Sequence, residues 1–150
     1  FVAEVKGVKY YNDSIATTPE SAIAGLKTFE APIVLIAGGY DKKIPLESFA
    51  QECARRSKCV ILIGETAPTL MRLIAKFKEG TSPNVFQVPS LVEAVRLAGE
   101  AASPGDIVLL SPACASYDMY ENFQERGKEF KTLVGAQNST VRIQNSEASS

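Results

Sequence analysis

Three short, uniformly apolar runs are the feature that most restricts the fold of this chain. They are IVLIA at 33–37, CVILI at 59–63 and the four apolar residues after Asp106 in DIVLL at 106–110. None of them alternates apolar with polar residues, which is typical of strands that are buried on both faces of a sheet. Each is also far shorter than the roughly 20 apolar residues of a membrane-spanning helix. The runs therefore predict central strands of a parallel sheet and no membrane partner.

Helical patterns separate these runs. Thr18 and Pro19 suit the cap and the first position of a helix, and apolar residues then recur at helical spacing. Further helices are predicted at about 46–56, 66–77, 91–101 and 118–133, a weaker strand at 85–88, and a hairpin around Lys6 and Gly7. Because strands and helices alternate with short loops, we expect a three-layer α/β/α, Rossmann-like domain. Its sheet would be mostly parallel, with about six strands and an N-terminal strand or hairpin at one edge.

Length and charge limit the remaining possibilities. The 150 residues suit one domain, which we place at 1–134, with the polar segment 135–150 as a flexible tail. The 16 basic and 17 acidic residues are interspersed, which argues against a nucleic-acid partner. There is no histidine, and the three cysteines fit no metal or disulfide spacing, so a reducing, cytoplasmic setting is predicted. The chain opens in strand-like sequence without a methionine, and we therefore expect a piece of a longer protein.

Three polar segments each follow a predicted strand and precede a helix. They are NDSIATT at 12–18, AGGYDKK at 37–43 and SPACAS at 111–116. In open α/β sheets, ligands gather beyond the carboxyl ends of the strands. We therefore expect the three segments to lie together at one edge of the sheet.

The glycine segment has two interpretations. Gly38 and Gly39 form a tight turn, or they let backbone N–H groups approach an anion beside Lys42 or Lys43. The segment lacks the third glycine of the dinucleotide fingerprint and the spacing of a P-loop. Each lysine considered alone is equally well explained as solvated surface.

The other two segments offer hydroxyls and one carboxylate. Asp13 suits a sugar hydroxyl, and Thr17 lies near a helix N-terminus, although the same segment can simply form a turn. Ser111 and Ser116 can donate to an anion, and Ser116 can also cap the last helix. Cys114 is interpreted as a packing residue, because no histidine is present to activate it. From the residues alone, we predict a small-acid binding module without a nucleophile, a base or a metal cage.

Three motifs add a family resemblance. YYNDSIATTPES, AGGYDKK and LLSPACASYDMYENFQERGKEF, in that order, resemble the carboxy-terminal domain of the Mur ligases of peptidoglycan synthesis. The likeness extends from Phe1 to about Leu133 and is most specific in PGDIVLLSPACAS. It implies an ATP-dependent amide ligase that adds D-glutamate to UDP-N-acetylmuramoyl-L-alanine through an acyl phosphate. It further implies that ATP and Mg²⁺ are held mainly by a central domain outside this chain, so that the chain alone is inactive.

The resemblance also implies roles for single residues. Asp13 would contact the ATP ribose, Thr17 and Lys42 would bind the carboxylates of D-glutamate, and Lys43 is the alternative to Lys42. The remaining contacts to D-glutamate would come from Ser116, the backbone of Tyr117, and Phe123 as a pocket wall. No catalytic or metal-binding residue is implied within the chain.

Two positions depart from the family pattern. Ile15 stands where better-known members carry a lysine, and Tyr117 stands where they carry a leucine. These departures keep a sister Mur ligase, or a folate-type ligase with another amino acid as its substrate, open as an alternative. A binding module without catalytic activity is the alternative from a different class.

Overall fold

A computed structural model describes the backbone of residues 1–148 and the side chains of residues 1–137. Six strands form one sheet in the order β1-β2-β6-β3-β4-β5. The strands are β1 (Ala3–Val5), β2 (Val8–Asn12), β3 (Ile33–Ala37), β4 (Ser57–Leu62), β5 (Asn84–Gln87) and β6 (Ile107–Leu110). The helices are α1 (Pro19–Lys27), α2 (Glu47–Arg56), α3 (Ala67–Phe77), α4 (Leu91–Ala101) and α5 (Phe123–Ala148).

The sheet is parallel except at one edge, where β1 pairs antiparallel with β2. This is the predicted hairpin, and Lys6 and Gly7 form its turn with φ values of 53° and 79°. The three apolar runs form β3, β4 and β6, which lie in the middle of the sheet. Every residue of β3 and β6 is buried, as uniformly apolar sequence predicts for central strands.

Helices cover both faces of the sheet, which confirms the three-layer prediction. On one face α1, α2 and α3 pack through Leu26, Phe49 and Leu70 onto Leu35 and Leu62. On the opposite face α4 and α5 enclose a second core, which contains Tyr10, Val34, Ile36, Ile61, Leu91, Phe130 and Val134. The sheet therefore has two separate apolar cores, and its polar loops are confined to its edges.

The last helix differs from the prediction at both ends. It begins at Phe123 rather than near Asp118, because residues 117–119 form a turn. It also continues to Ala148, so the backbone of the segment predicted as a loose tail is helical as far as that residue. The helix begins where the side chain of Asn122 accepts a hydrogen bond from the N–H of Glu125 (3.0 Å), so Asn122 rather than Ser116 supplies the capping oxygen.

Candidate functional site

The carboxyl ends of β2, β3 and β6 bring the three polar segments together, as the sequence predicts. The N–H of Asp13 donates to the carbonyl of Leu110 at 2.7 Å, and the N–H of Ala113 donates to the carbonyl of Ala16 at 2.9 Å. These bonds join the segment 12–18 to the last residue of β6 and to the segment 111–116. The segments meet because β6 lies between β2 and β3 in the sheet.

Asp13 is half-buried and directly follows the last residue of β2. Its Oδ2 accepts a hydrogen bond from the hydroxyl of Ser111 at 2.8 Å. Burial raises the pKa of the Asp13 carboxyl, and the bond from Ser111 offsets part of that rise. A carboxylate has about four lone-pair positions, and the Ser111 bond takes one of them. Asp13 therefore retains acceptor capacity for a further hydroxyl group.

The two candidate lysines lie in different surroundings. Lys42 points its Nζ at the carbonyl of Thr17, 3.4 Å away, so these two predicted residues are brought together. Among the described side chains, no ion pair includes Lys42. Lys43 instead pairs with Asp41 at 3.1 Å and is 84% exposed. The geometry thus leaves Lys42 as the cation that can take a carboxylate without first breaking an ion pair.

The glycine turn does not form an anion cradle. The N–H groups of Gly38, Gly39 and Tyr40 donate to the carbonyl of Pro112, the hydroxyl of Thr66 and the carbonyl of Ala115, at 2.7–3.0 Å. These donors are already used by neighbouring loops. The two glycines serve close packing, and the alternative in which their N–H groups face an anion is wrong.

Ser116 and Tyr117 differ sharply in exposure. Ser116 is 2% exposed, and its hydroxyl finds no hydrogen-bond partner among the described residues. Its carbonyl accepts from the N–H groups of Met119 and Tyr120, which closes the turn after it. Tyr117 is 66% exposed, and its ring lies edge-on to that of Tyr40 with centroids 6.0 Å apart. A buried unpaired hydroxyl is uncommon in folded proteins, and that of Ser116 is shielded from solvent in this arrangement.

Arg126 was not predicted by the sequence analysis, yet it is the largest fully buried side chain of the described residues. Its Nε donates to the hydroxyl of Ser14 at 3.0 Å, and its remaining bonds go to the carbonyls of Ser14 and Cys114. The hydroxyl of Ser14 donates in turn to the carbonyl of Phe123 at 2.7 Å. One sequence signal could have revealed it: Arg126 precedes the buried Phe130 by four residues, on the same face of α5.

Cys114 is a packing residue in this arrangement. It is 4% exposed, and its Sγ lies 3.4 Å from the hydroxyl of Thr66. Burial raises the pKa of its thiol, so the thiolate is scarce at neutral pH. Thr66 precedes α3 and was not singled out in the sequence, because its partners Gly39 and Cys114 are distant along the chain.

Residues 1–114 match the family described as Mur ligase, glutamate ligase domain. The chain belongs to this family. The match covers the segments at 12–18 and 37–43 and ends inside the third, so Ser116, Tyr117 and Phe123 lie beyond it.

Curated relatives extend the likeness of this Mur ligase domain over most of its length. It is 48% identical to the UDP-N-acetylmuramoylalanine–D-glutamate ligase of Acetivibrio thermocellus over 139 residues, which are 90% of this chain. It is 52% identical to the ligase of the same name from Symbiobacterium thermophilum over 135 residues, again 90% of the chain. The chain spans only 30% and 29% of these two relatives.

Solved structures support the fold of the Mur ligase domain. A UDP-N-acetylmuramoyl-L-alanyl-D-glutamate–2,6-diaminopimelate ligase matches 73% of this chain with a TM-score of 0.56 and 19% identity, over 25% of its own length. A domain of a UDP-N-acetylmuramate:L-alanyl-gamma-D-glutamyl-diaminopimelate ligase from Haemophilus ducreyi matches 87% of this chain and 94% of its own. That second match has a TM-score of 0.55 and 14% identity. At these identities the likeness concerns the fold.

The described part of the chain offers no metal centre and no membrane span. No group of three His, Cys, Asp or Glu side chains comes together within it. Its helices are too short or too polar to cross a bilayer.

Proposed function

We propose that this chain is the amino-acid-binding domain of an ATP-dependent ligase that joins D-glutamate to UDP-N-acetylmuramoyl-L-alanine. The observation that carries the proposal is 48–52% identity, over 90% of the chain, to relatives whose names give that reaction. The chain spans about 30% of those relatives, so the activity belongs to a longer protein. We further propose that this protein works in the cytoplasm, where its nucleotide-linked substrate would be made.

The sheet edge suits a molecule with two carboxylates. Lys42 supplies a cation that is not already paired, the buried hydroxyl of Ser116 is unpartnered, and Thr17 adds a second hydroxyl. A charge-assisted hydrogen bond to a carboxylate contributes on the order of 1.5–3 kcal/mol. We assign the carboxylates of D-glutamate to these groups, with the Tyr117 backbone and Phe123 completing the pocket.

The amine of the amino acid must remain unbound so that it can attack. In the reaction implied for the family, ATP phosphorylates the carboxylate of UDP-N-acetylmuramoyl-L-alanine, and the amine of D-glutamate displaces the phosphate to form the amide. We assign an orienting role to the residues of this chain. Fixing both carboxylates limits the directions from which the amine can approach the acyl phosphate. Such positioning of reacting groups accelerates a reaction.

Asp13 is assigned to the ribose of ATP. Its carboxylate keeps free acceptor positions beside the Ser111 bond, and a ribose offers two hydroxyl donors. The described residues do not fit Mg²⁺, because no cluster of carboxylates forms among them. We therefore assign the metal and the phosphates of ATP to the part of the longer protein that this chain does not include.

A sister ligase that adds a different amino acid is the second candidate. The fold resembles two ligases named for diaminopimelate, although at 19% and 14% identity. Ile15 and Tyr117 are 67% and 66% exposed at the site edge, and both depart from the family pattern. The much higher identity to the D-glutamate ligases favours the first candidate.

The two adjacent lysines provide the test of the proposal. In the full-length protein, Lys42→Ala should raise the KM for D-glutamate roughly 10- to 100-fold, because one charge-assisted contact is lost. Lys43→Ala is the matched control, since Lys43 is engaged by Asp41, and it should leave that KM within about twofold. An unchanged KM in Lys42→Ala, or an equal rise in both variants, would show that Lys42 does not hold the substrate.

A further inference from the structure

Arg126 is a buried cation without a counterion. It is 1% exposed, and no ion pair of the described side chains includes it. Burial lowers the pKa of its guanidinium to about 10, so it is still charged at neutral pH. A buried charge without a partner ion is expensive, and an apolar side chain of similar size is often as stable. Stability alone is therefore a poor explanation for an arginine at this position.

The guanidinium joins two separate loops. Its Nε and one terminal nitrogen donate to the hydroxyl and the carbonyl of Ser14, both at 3.0 Å. The same terminal nitrogen also donates to the carbonyl of Cys114 at 3.1 Å. The planar fork of an arginine can reach several acceptors in fixed directions, which a lysine cannot do with its single nitrogen. Arg126 thus fixes the distance between the β2–α1 turn and the loop after β6.

A third loop abuts the same side chain. The other terminal nitrogen has no hydrogen-bond partner, and a Cβ built on Gly39 would lie 3.2 Å from it. The glycine turn after β3 therefore passes beside the guanidinium, and a side chain at position 39 would also overlap the carbonyl oxygen of Ala115. Two loops of the candidate site are thus bonded to one buried group, and the third passes beside it.

The residues bound by Arg126 are direct neighbours of the assigned ligand contacts. Ser14 follows Asp13, and Cys114 lies two residues before Ser116. From this arrangement, and resting on the proposed function, we infer that Arg126 is a positioning residue that sets the distance between the nucleotide contact Asp13 and the amino-acid contact Ser116. It touches neither substrate itself, and it acts through the backbone of both loops.

Kinetics of the full-length protein test this inference. Arg126→Lys keeps a buried cation but loses the planar set of donors that bonds both loops. It should therefore raise the KM values for both ATP and D-glutamate. A displacement of about 1 Å at a site can cost on the order of 100-fold in rate, so kcat/KM should fall by up to that factor. Arg126→Met, which removes the donors altogether, should lose at least as much. Arg96→Met is the matched control, because Arg96 is an exposed arginine of α4 that pairs with Glu93 and Glu100.

Amide hydrogen exchange of the same full-length variants supplies a readout that does not need activity. In Arg126→Lys, the segments 13–17 and 113–120 should exchange faster together, while α3 and α4 exchange as in the wild type. A uniform increase over the whole sheet would reduce Arg126 to a stability role and overturn the inference. Unchanged exchange in both segments would overturn it as well.

The two experiments separate this inference from the proposed function. If Arg126→Lys changes the KM of one substrate only, Arg126 does not link the two contacts, and the inference fails while the proposed function stands. If the wild-type protein does not ligate D-glutamate, the proposed function fails. In that case the exchange of the two segments alone supports or overturns the link between the loops.

Discussion

Single residues at the sheet edge are buried at a cost, and Asp13 shows it most clearly. Burial raises the pKa of its carboxyl, which means that the folded protein holds the carboxylate less favourably than water does. Ser111 compensates in part through its hydrogen bond. A carboxyl with a raised pKa, at the carboxyl ends of parallel strands where ligands gather, supports the binding role that we propose for Asp13.

Asp13→Asn should therefore stabilise the fold at pH 7. The folded-state pKa of Asp13 is raised, so its unfavourable contribution is absent below its ordinary pKa of 3.8 and appears as the pH rises through the folded value. The asparagine carbonyl can still accept from Ser111. Thermal unfolding from pH 4 to pH 7 should show a gain in Tm that shrinks as the pH falls. A lower Tm at pH 7, or a difference that does not vary with pH, would contradict this assignment.

Sequence patterns predict most of the strands and helices, but not the start of the last helix. Uniform apolar runs predict β3, β4 and β6, because a strand that is buried on both faces is apolar throughout. Helical spacing of apolar residues predicts α1 to α4, because each of these helices buries one face. The start of α5 was missed because Tyr117 and Tyr120 mimic helical spacing, while the hydrogen bonds to the Ser116 carbonyl form a turn instead. Such bonds depend on backbone geometry and leave no periodic signal.

The contacts between loops were the least predictable part of the site. That the loops after β2, β3 and β6 meet follows from parallel strands, and this was predicted. The partners of Gly38, Gly39 and Arg126 come from segments distant in sequence, so no local pattern identifies them. A charged residue in a helix is also assigned to solvent by default, and Arg126 was missed for that reason.

The turn after β3 yields a prediction about packing. A Cβ on Gly38, at φ 105°, would overlap the carbonyl oxygen of Ile63, whereas Gly80, at φ 73°, has open space around it. Gly80→Ala should lower the free energy of unfolding by roughly 1–2 kcal/mol through backbone strain alone. Gly38→Ala should lower the free energy of unfolding by about 1–3 kcal/mol more, because overpacking adds to a similar backbone strain. Equal losses for the two variants in denaturant unfolding would show that the turn has room for a side chain.

At the scale of the whole molecule, the proposed function makes the chain one part of a larger ligase. It spans about 30% of its relatives, and no metal cluster occurs among its described residues. Under the proposed function, this chain would bind D-glutamate and another part of the protein would supply the acyl phosphate.

Ligation by the full-length protein tests the central claim most directly. D-glutamate, L-lysine and diaminopimelate would each be supplied with UDP-N-acetylmuramoyl-L-alanine and ATP, and amide product and phosphate would be measured. We predict ATP-dependent product with D-glutamate, at a kcat/KM well above that for the other two amino acids, and no product from the 150-residue chain alone. A preference for L-lysine or diaminopimelate, or ligation by the isolated chain, would contradict it.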